Sequence, residues 1–360
     1  MINMTVGPVM SHERILNIAG LQTPYFRTSE FSEIMLDSEK RLLKMLDAPD
    51  GSKCAFLTTS GTGGMEACVI GTLAPNDKVA VINGGTFGQR FVDLCKMHDI
   101  SVVEVQCKFG EQITKKSIED LKEYGITALL VNMDETSSGL LYDMKIISDF
   151  CKQNGIFLVV DAISSFLADY ISMSDIGANV IIIASQKALA LQPGMSFVVL
   201  DPTAIERVCQ TDNHNMYLSL KVALENMRRG QTPYTPAVSV VYQLNERLRM
   251  IEECGGVPYE IDNVKKLAML FRNQIATYYF ELLITNPRDM SNAVTAVRVK
   301  NNNAGIICEQ LKNKFDIWVC PNGGTYKDSV FRVGHIGALS IDDYHTLGNA
   351  LAQMESDGLL

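Results

Sequence analysis

Residues 181–200, IIIASQKALALQPGMSFVVL, set one lysine, Lys187, between two strongly apolar runs. Both runs are as long as a strand, and continuous apolar runs are typical of strands buried on both faces of a sheet. An ammonium group is costly to remove from water, so a lysine at the end of such a strand needs a reason. Only about nine residues separate the runs, too few for a crossover helix. We therefore expect an antiparallel pair with Lys187 at its turn.

The same kind of run recurs along the first two thirds of the chain. The seven predicted strands lie at 54–59, 78–83, 101–106, 126–133, 156–162, 179–185 and 195–201. Helical stretches lie between several of them, and those at 117–125 and 144–155 end in glycine, a common residue just past a helix terminus. This alternation predicts an α/β fold in which a mainly parallel seven-stranded sheet is flanked by helices.

The pattern changes near residue 240. Two long amphipathic helices are predicted at 240–256 and 263–280, and short strands are predicted within 293–300, 317–323 and 330–337. A length of 360 residues fits about two domains. We expect a large domain of residues 15–240 and a smaller α+β domain of residues 241–360 that residues 1–14 join.

The composition argues against several kinds of partner. A net charge of −9 at pH 7, without any dense run of Lys or Arg, disfavours nucleic acid and anionic membrane surfaces. The longest apolar runs are far short of the ~20 residues that span a bilayer. The N-terminus, MINMTVGPVM, has no basic segment followed by an apolar one. These features predict a globular protein that binds a small molecule.

The cysteines and histidines point to a reducing compartment without a metal site. The nine cysteines form no CxxC pair, and their odd number does not suit a disulfide framework. We therefore expect a cytoplasmic protein. The five histidines are scattered, without the spacing of zinc ligands, so no metal is expected.

Ligands of α/β sheets bind beyond the carboxyl ends of the strands, and three such ends carry notable residues. The Gly-rich turn SGTGG at 60–64 is suited to binding a phosphate through backbone N–H groups. Asp161 ends the run at 156–162, and Lys187 follows the run at 179–185. Each also has a purely structural explanation when taken alone: the Gly-rich segment as a turn, Asp161 as a helix cap and Lys187 as a solvated strand end. Pyridoxal 5′-phosphate accounts for all three, because it needs a phosphate cradle, an acid at its pyridine nitrogen and a lysine for its aldehyde.

With these motifs in this order, the sequence resembles the class V aminotransferases, a family of fold-type I pyridoxal-phosphate enzymes, over most of its length. The matching segments are VGPVM (6–10), SGTGGMEA (60–67), GGTFGQR (84–90), ETSSGLL (135–141), VVDAISSF (159–166), ASQKALALQPG (184–194), TPYTP (232–236) and FRVGHIG (331–337).

The resemblance implies a role for each cofactor residue. Lys187 would hold the cofactor as an internal aldimine and later move the proton of the substrate α-carbon, and Asp161 would keep the pyridine nitrogen protonated. Phe87 would lie over the ring face, and Thr136 would contact the ring oxygen. The phosphate would be bound by Ser60, Gly61, Thr62 and Gly63, with Gln186 beside it, and by Thr235 of the neighbouring subunit in a homodimer with shared active sites.

Two arginines are candidates for the substrate. The resemblance implies that Arg332 binds the substrate α-carboxylate, for which a planar guanidinium is suited by its two parallel N–H donors. Arg27, in PYFRTSEF, lies in a part of the chain where this group often forms its pocket, and a second anion-binding group would suit a phosphonate or a dicarboxylate.

The expected activity is transfer of an amino group from a small amino acid or an aminophosphonate to a 2-oxo acid such as pyruvate or glyoxylate. A cysteine desulfurase or another pyridoxal-phosphate lyase is the alternative, and a non-catalytic relative is a further one. Desulfurases typically have His where this chain has Gln186 and Phe87. They also need a mobile cysteine, and the candidate here, Cys320, is close in sequence to Arg332.

Overall fold

The computed structural model describes residues 1–211, 215–276 and 280–360 of the chain. The strands are β1 Ile2–Asn3, β2 Lys53–Leu57, β3 Lys78–Asn83, β4 Ser101–Gln106, β5 Ala128–Asn132, β6 Asp134–Glu135, β7 Leu140–Leu141, β8 Phe157–Asp161, β9 Val180–Ala184, β10 Ser196–Leu200, β11 Phe280–Leu282, β12 Val294–Val299, β13 Ile317–Trp318, β14 Cys320–Pro321 and β15 Val330–Gly334. The α-helices are α1 Glu13–Ala19, α2 Ser29–Met45, α3 Gly61–Thr72, α4 Thr86–Met97, α5 Lys115–Glu119, α6 Met144–Asn154, α7 Met173–Ile176, α8 Pro202–Gln210, α9 Leu220–Met227, α10 Val238–Glu253, α11 Val257–Ile275, α12 Ala304–Phe315 and α13 Ile341–Ser356.

A seven-stranded sheet contains all seven strands that the apolar runs predict. Its order is β2-β10-β9-β8-β5-β3-β4, and every neighbouring pair is parallel except the two that involve β10. Ser196 lies opposite Ala184, and Leu200 lies opposite Val180. The predicted antiparallel turn around Lys187 is therefore confirmed, together with the predicted sheet.

The apolar runs are continuous because each face of the sheet is covered. In β9, Ile181 and Ile183 face a cluster that includes helices α2, α6 and α10. Val180 and Ile182 face a second cluster that includes α3, α4, α8 and α9. Alternate residues of a strand point to opposite faces, so neither face leaves room for polar side chains. Each such side chain stabilises the fold by about 1.5–3 kcal/mol relative to an exposed one.

Glycines end the two predicted helices between strands. Helix α6 stops at Gly155, which adopts φ 63°, and a 3₁₀ turn at Asp120–Tyr124 continues α5 as far as Gly125, at φ 59°. Glycine adopts this left-handed conformation at no steric cost, so these ends are encoded locally.

The C-terminal third has its own antiparallel sheet, in the order β11-β12-β15-β14. Helices α11, α12 and α13 cover it in a third apolar cluster, which Met4 of the N-terminal segment joins. Strand β1 of the N-terminal segment pairs with β13. Helix α10, however, packs on α1 and α2 within the cluster of the central sheet. The domain boundary near residue 240 stays a prediction.

The helix predicted over 263–280 forms from Val257 to Ile275, and residues 277–279 lie outside the described part of the chain. Across the described ranges, no helix combines the length and the apolar character needed to cross a bilayer.

Candidate active site

A cavity of about 140 Å³ lies beyond the carboxyl ends of the parallel strands of the central sheet. Strands β2, β5, β8 and β9 run in the same direction, so the segments that follow them converge there. The residues that line it are Gly7, Ser60, Gly61, Thr62, Phe87, Arg90, Asp134, Thr136, Asp161, Ile163, Ser164, Gln186 and Lys187. The sheet thus brings together most of the residues that the sequence assigned to the cofactor.

Lys187 is a buried amine without a carboxylate partner. Its Nζ donates a hydrogen bond to the backbone oxygen of Val6, and none of the described carboxylates forms a salt bridge with it. Burial lowers the pKa of Lys187, against the opposing effect of Asp134 and Asp161. A lowered pKa favours the neutral amine, which is the nucleophilic form.

Gly7 holds the N-terminal segment directly against this lysine. Its φ is +122°, and a Cβ built on it would lie 2.8 Å from Cδ of Lys187 and 3.1 Å from the backbone oxygen of Gln186. Only glycine combines that conformation with so close an approach. The motif VGPVM therefore has a packing role beside the lysine.

Substituting Gly7 with alanine is expected to displace Lys187 and to remove most of the activity. The strained backbone and the clash should cost about 1–3 kcal/mol of stability. Thermal unfolding and turnover of Gly7→Ala measure both effects. Gly305→Ala is the matched control, because Gly305 lies in α12 with nothing within 4 Å of its Cβ position. Wild-type turnover in Gly7→Ala would show that the segment yields without moving the lysine.

Asp161 is the last residue of β8 and is buried. Its Oδ1 accepts a hydrogen bond from the backbone N–H of Ile163 at 2.8 Å. Burial raises the pKa of Asp161 to about 6, while that hydrogen bond, Lys187 and Arg90 hold the rise back. The carboxyl group is therefore mainly ionised at neutral pH and is able to pair with a buried cation.

The Gly-rich turn presents the N-terminus of α3 to the cavity. Ser60 occupies the N-cap, and its side chain makes no capping hydrogen bond. A Cβ on Gly61 would lie 2.6 Å from Cδ1 of Ile163, so a larger residue would fill the cradle. Nη1 of Arg90 donates to Oγ1 of Thr62 at 2.9 Å. A helix N-terminus with free N–H groups and a nearby cation is suited to a phosphate.

Gly63 belongs to the turn but does not line the cavity. A Cβ on Gly63 would lie 2.0 Å from Oγ1 of Thr59, so the close packing of the turn requires glycine there. Gln186 lines the cavity next to Lys187.

Phe87 lies in the first turn of α4, and a buried carboxylate fixes that turn. Oε1 of Glu135 accepts from the N–H of Phe87 at 3.4 Å, and Oε2 accepts from the N–H of Gly88 at 3.1 Å. The N–H groups at a helix start have no partner within the helix, and a negative charge there also suits the helix dipole. Arg90, one turn later, has its guanidinium carbon 4.9 Å from the centre of the Phe87 ring.

Arg332 is hydrogen-bonded to the cavity wall. Nη1 donates to the backbone oxygen of Thr136 at 3.2 Å, and Nη2 donates to that of Pro321 at 3.0 Å. Nε is buried without a partner. Cys320 lies directly opposite Arg332 in the sheet, and its Sγ accepts from the N–H of Val6 at 3.4 Å. This cysteine is thus held in a strand and is not on a free loop.

Two further predicted residues, Thr235 and Arg27, lie away from the cavity within this chain. Thr235 is exposed and lies beside Thr58 and Tyr217 in a separate depression. Arg27 donates to Oε1 of Gln231 at 3.1 Å and to the backbone oxygens of Thr232 and Pro233 at 2.8 and 3.1 Å. Arg27 therefore braces the loop that carries Thr235, and its substrate role stays a prediction.

The structure adds six residues that the sequence did not single out for the site: Gly7, Arg90, Asp134, Glu135, Ile163 and Ser164. All except Glu135 line the cavity. Arg90 and Glu135 fall within the quoted motifs GGTFGQR and ETSSGLL, so the motifs contained a signal that residue-by-residue reasoning left unused.

These residues fit pyridoxal phosphate. The cavity contains a buried amine, a buried carboxylate and an aromatic ring. It also contains an uncapped helix N-terminus, where glycines leave space for a phosphate. Fold and site together define an enzyme that uses this cofactor.

The chain belongs to the class-V aminotransferase family, whose sequence model matches residues 17–324. It is 27% identical over 345 residues to an uncharacterised aminotransferase of Helicobacter pylori, covering 95% of this chain and 90% of the relative. It is 29% identical over 339 residues to the 2-aminoethylphosphonate–pyruvate transaminase of Pseudomonas putida, covering 90% and 89%. The alanine–glyoxylate aminotransferase structure from Nostoc sp. superimposes with a TM-score of 0.92 at 22% identity, covering 98% of this chain and 94% of that one. The expected fold and cofactor are confirmed, and the chain is a pyridoxal-phosphate-dependent aminotransferase.

Proposed function

We propose that this aminotransferase moves an amino group from a small amino acid or an aminophosphonate to a 2-oxo acid such as pyruvate or glyoxylate. The observation that carries the proposal is the single cavity in which Lys187, Asp161 and the start of α3 meet, with Arg332 bonded to its wall. The names of the related 2-aminoethylphosphonate–pyruvate and alanine–glyoxylate enzymes agree with this choice.

Each role follows from the chemistry of the side chain. When bound, pyridoxal phosphate supplies an aldehyde that takes up the amino group and a ring that withdraws electrons from the substrate α-carbon. Lys187 would supply the amine that holds the aldehyde of the cofactor, and the same amine would accept and return the proton of the substrate α-carbon as a general base. Asp161 keeps a proton on the pyridine nitrogen. Ser60, Gly61, Thr62 and Gln186 hold the phosphate, Phe87 packs on the ring, and Arg332 binds the substrate carboxylate.

The functional unit we propose is a homodimer with shared active sites. Support comes from Thr235, which is exposed on a loop braced by Arg27 and lies away from the cavity of its own chain. In a dimer that loop would present Thr235 to the phosphate of the neighbouring subunit. We place the enzyme in the cytoplasm, which the nine cysteines support because all of them lie in the described ranges and are free thiols.

A spectroscopic challenge tests the proposed reaction. The purified protein is loaded with pyridoxal phosphate and mixed in turn with alanine, serine, aspartate, 2-aminoethylphosphonate and cysteine. At least one of the first four is expected to convert the visible band to that of the amine form, and pyruvate or glyoxylate should restore it. Absence of conversion by all four, or release of sulfide from cysteine, would contradict the proposal.

A further inference from the structure

Asp134 is a buried carboxyl group that the proposed reaction does not use. It lines the cavity, its exposed fraction is 2%, and among the described residues neither carboxyl oxygen has a hydrogen-bond partner of normal geometry. It shares strand β6 with Glu135, which turns the other way to reach α4. Buried carboxyl groups are normally hydrogen-bonded, so this one requires a partner or a proton.

The groups around Asp134 favour a proton on it. Burial, followed by the charge of Asp169 and then that of Glu135, raises the pKa of Asp134 to about 8. Asp169 is itself buried, and its Oδ2 accepts from Oγ of Ser291 at 3.1 Å. The remaining charged or titratable neighbours are Lys187, the phenol of Tyr142 and, acting on Asp169, Arg272. Two adjacent buried carboxyl groups do not both ionise easily, so one keeps its proton near neutral pH.

A short chain of hydroxyl groups connects Asp134 to the expected cofactor contact. Oγ1 of Thr136 donates to Oγ of Ser164 at 3.0 Å. The hydroxyl of Ser164 lies beside the Asp134 carboxyl group and acts on its pKa, although it makes no hydrogen bond of normal geometry to it. A neutral carboxyl group can donate as well as accept, whereas an ionised one can only accept. If loss of the Asp134 proton reorients the hydroxyl of Ser164, the change reaches Thr136 through the hydrogen bond between the two hydroxyl groups.

We propose that Asp134 is a positioning residue that holds a proton in the wall of the cavity. Through Ser164, it controls the hydrogen bond that Thr136 offers to the ring oxygen of the cofactor. The inference rests on the proposed function, which assigns Thr136 to that oxygen. Its consequence is that Asp134 sets the pH at which the loaded enzyme changes between its protonated and unprotonated visible forms.

The first test is a pH titration of the visible spectrum of the loaded protein. In the wild type, the negative charge that appears on Asp134 at high pH favours the protonated lysine–cofactor linkage. Asp134→Asn is isosteric and cannot ionise, so its midpoint should fall by about one pH unit or more. Ser164→Ala should lower the midpoint as well, because it disconnects Thr136 from Asp134.

Ser165→Ala is the matched control for this titration. Ser165 is buried next to Ser164, its hydroxyl has no partner, and it does not line the cavity. Its midpoint should equal that of the wild type. An unchanged midpoint in Asp134→Asn would overturn the inference, and a shift in Asp134→Asn without one in Ser164→Ala would overturn the route through Ser164.

The second test needs no cofactor. Between the ordinary pKa of 3.8 and about 8, the folded protein binds more protons at Asp134 than the unfolded chain does. The contribution of this group to stability is therefore present at low pH and is lost as the pH rises through about 8. The melting temperature of Asp134→Asn minus that of the wild type should rise from acidic to alkaline pH. A difference that does not change with pH would overturn the proposal that Asp134 carries a proton, whatever the outcome of the substrate test. Absence of a Lys187-dependent band in the wild type would instead refute the proposed function.

Discussion

Lys187→Ala is expected to abolish transamination and the visible band of the bound cofactor while leaving the fold intact. The variant removes the amine for the cofactor and the base for the α-proton, and loss of the base alone costs about 10²–10⁴ in rate. Stability should not suffer, because within the described part of the chain the buried amine makes one hydrogen bond, to Val6, and has no carboxylate partner to leave unpaired. Steady-state turnover, the absorption spectrum and thermal unfolding measure the three effects.

Lys145→Ala is the control for loss of a lysine as such. Lys145 is exposed and pairs with Asp149 at 2.7 Å on the surface of α6. Its removal should leave turnover and spectrum unchanged, because exposed ion pairs contribute little. If Lys187→Ala retained appreciable turnover, Lys187 could not be the residue that carries the chemistry.

Asp161→Asn should have the second largest effect on the rate. With the amide in place, no negative charge stabilises a proton on the pyridine nitrogen, and breaking such a buried pair costs about 3–5 kcal/mol. That cost corresponds to roughly 150- to 5000-fold in kcat. Cofactor should still bind through Lys187 and the phosphate cradle, so the measurement is kcat in the fully loaded protein.

Asp201→Asn separates this electrostatic role from a purely structural one. Asp201 follows strand β10 of the same sheet and accepts from the N–H of Ala204 at 2.7 Å as the N-cap of α8. Because β10 is antiparallel to β9, Asp201 lies at the opposite end of the strands from the cavity. Asparagine caps a helix about as well as aspartate does, so this substitution should change stability little and leave kcat unchanged. A kcat of Asp161→Asn as high as that of Asp201→Asn would mean that another group protonates the ring.

The central sheet could be predicted because strands that are buried on both faces have uninterrupted apolar sequences. The antiparallel strand was predictable for a different reason, since the short connection around Lys187 leaves no room for a helix. The packing of α10 within the cluster of the central sheet could not be predicted, because the apolar face of an amphipathic helix does not identify the element that packs on it.

The site was predictable where chemistry demands a rare residue type at a strand end, as for Asp161 and Lys187. The site was not predictable where the side chains of two residues adjacent in sequence point in different directions. Asp134 and Glu135 are two acids side by side, and only the orientation of β6 sends one into the cavity and the other to the start of α4. Gly7 lies 180 positions from Lys187, and its contact with that side chain depends on how the N-terminal segment is anchored.

That anchoring ties the reactive amine to a distant part of the chain. Val6 bonds both to Lys187 and to Cys320, which is 314 positions further along the chain. Because β1 pairs with β13, the segment that holds Val6 against Lys187 has no partner strand until residues 317–318 have been synthesised. A fragment that ends before residue 317 would therefore lack both that partner strand and Arg332.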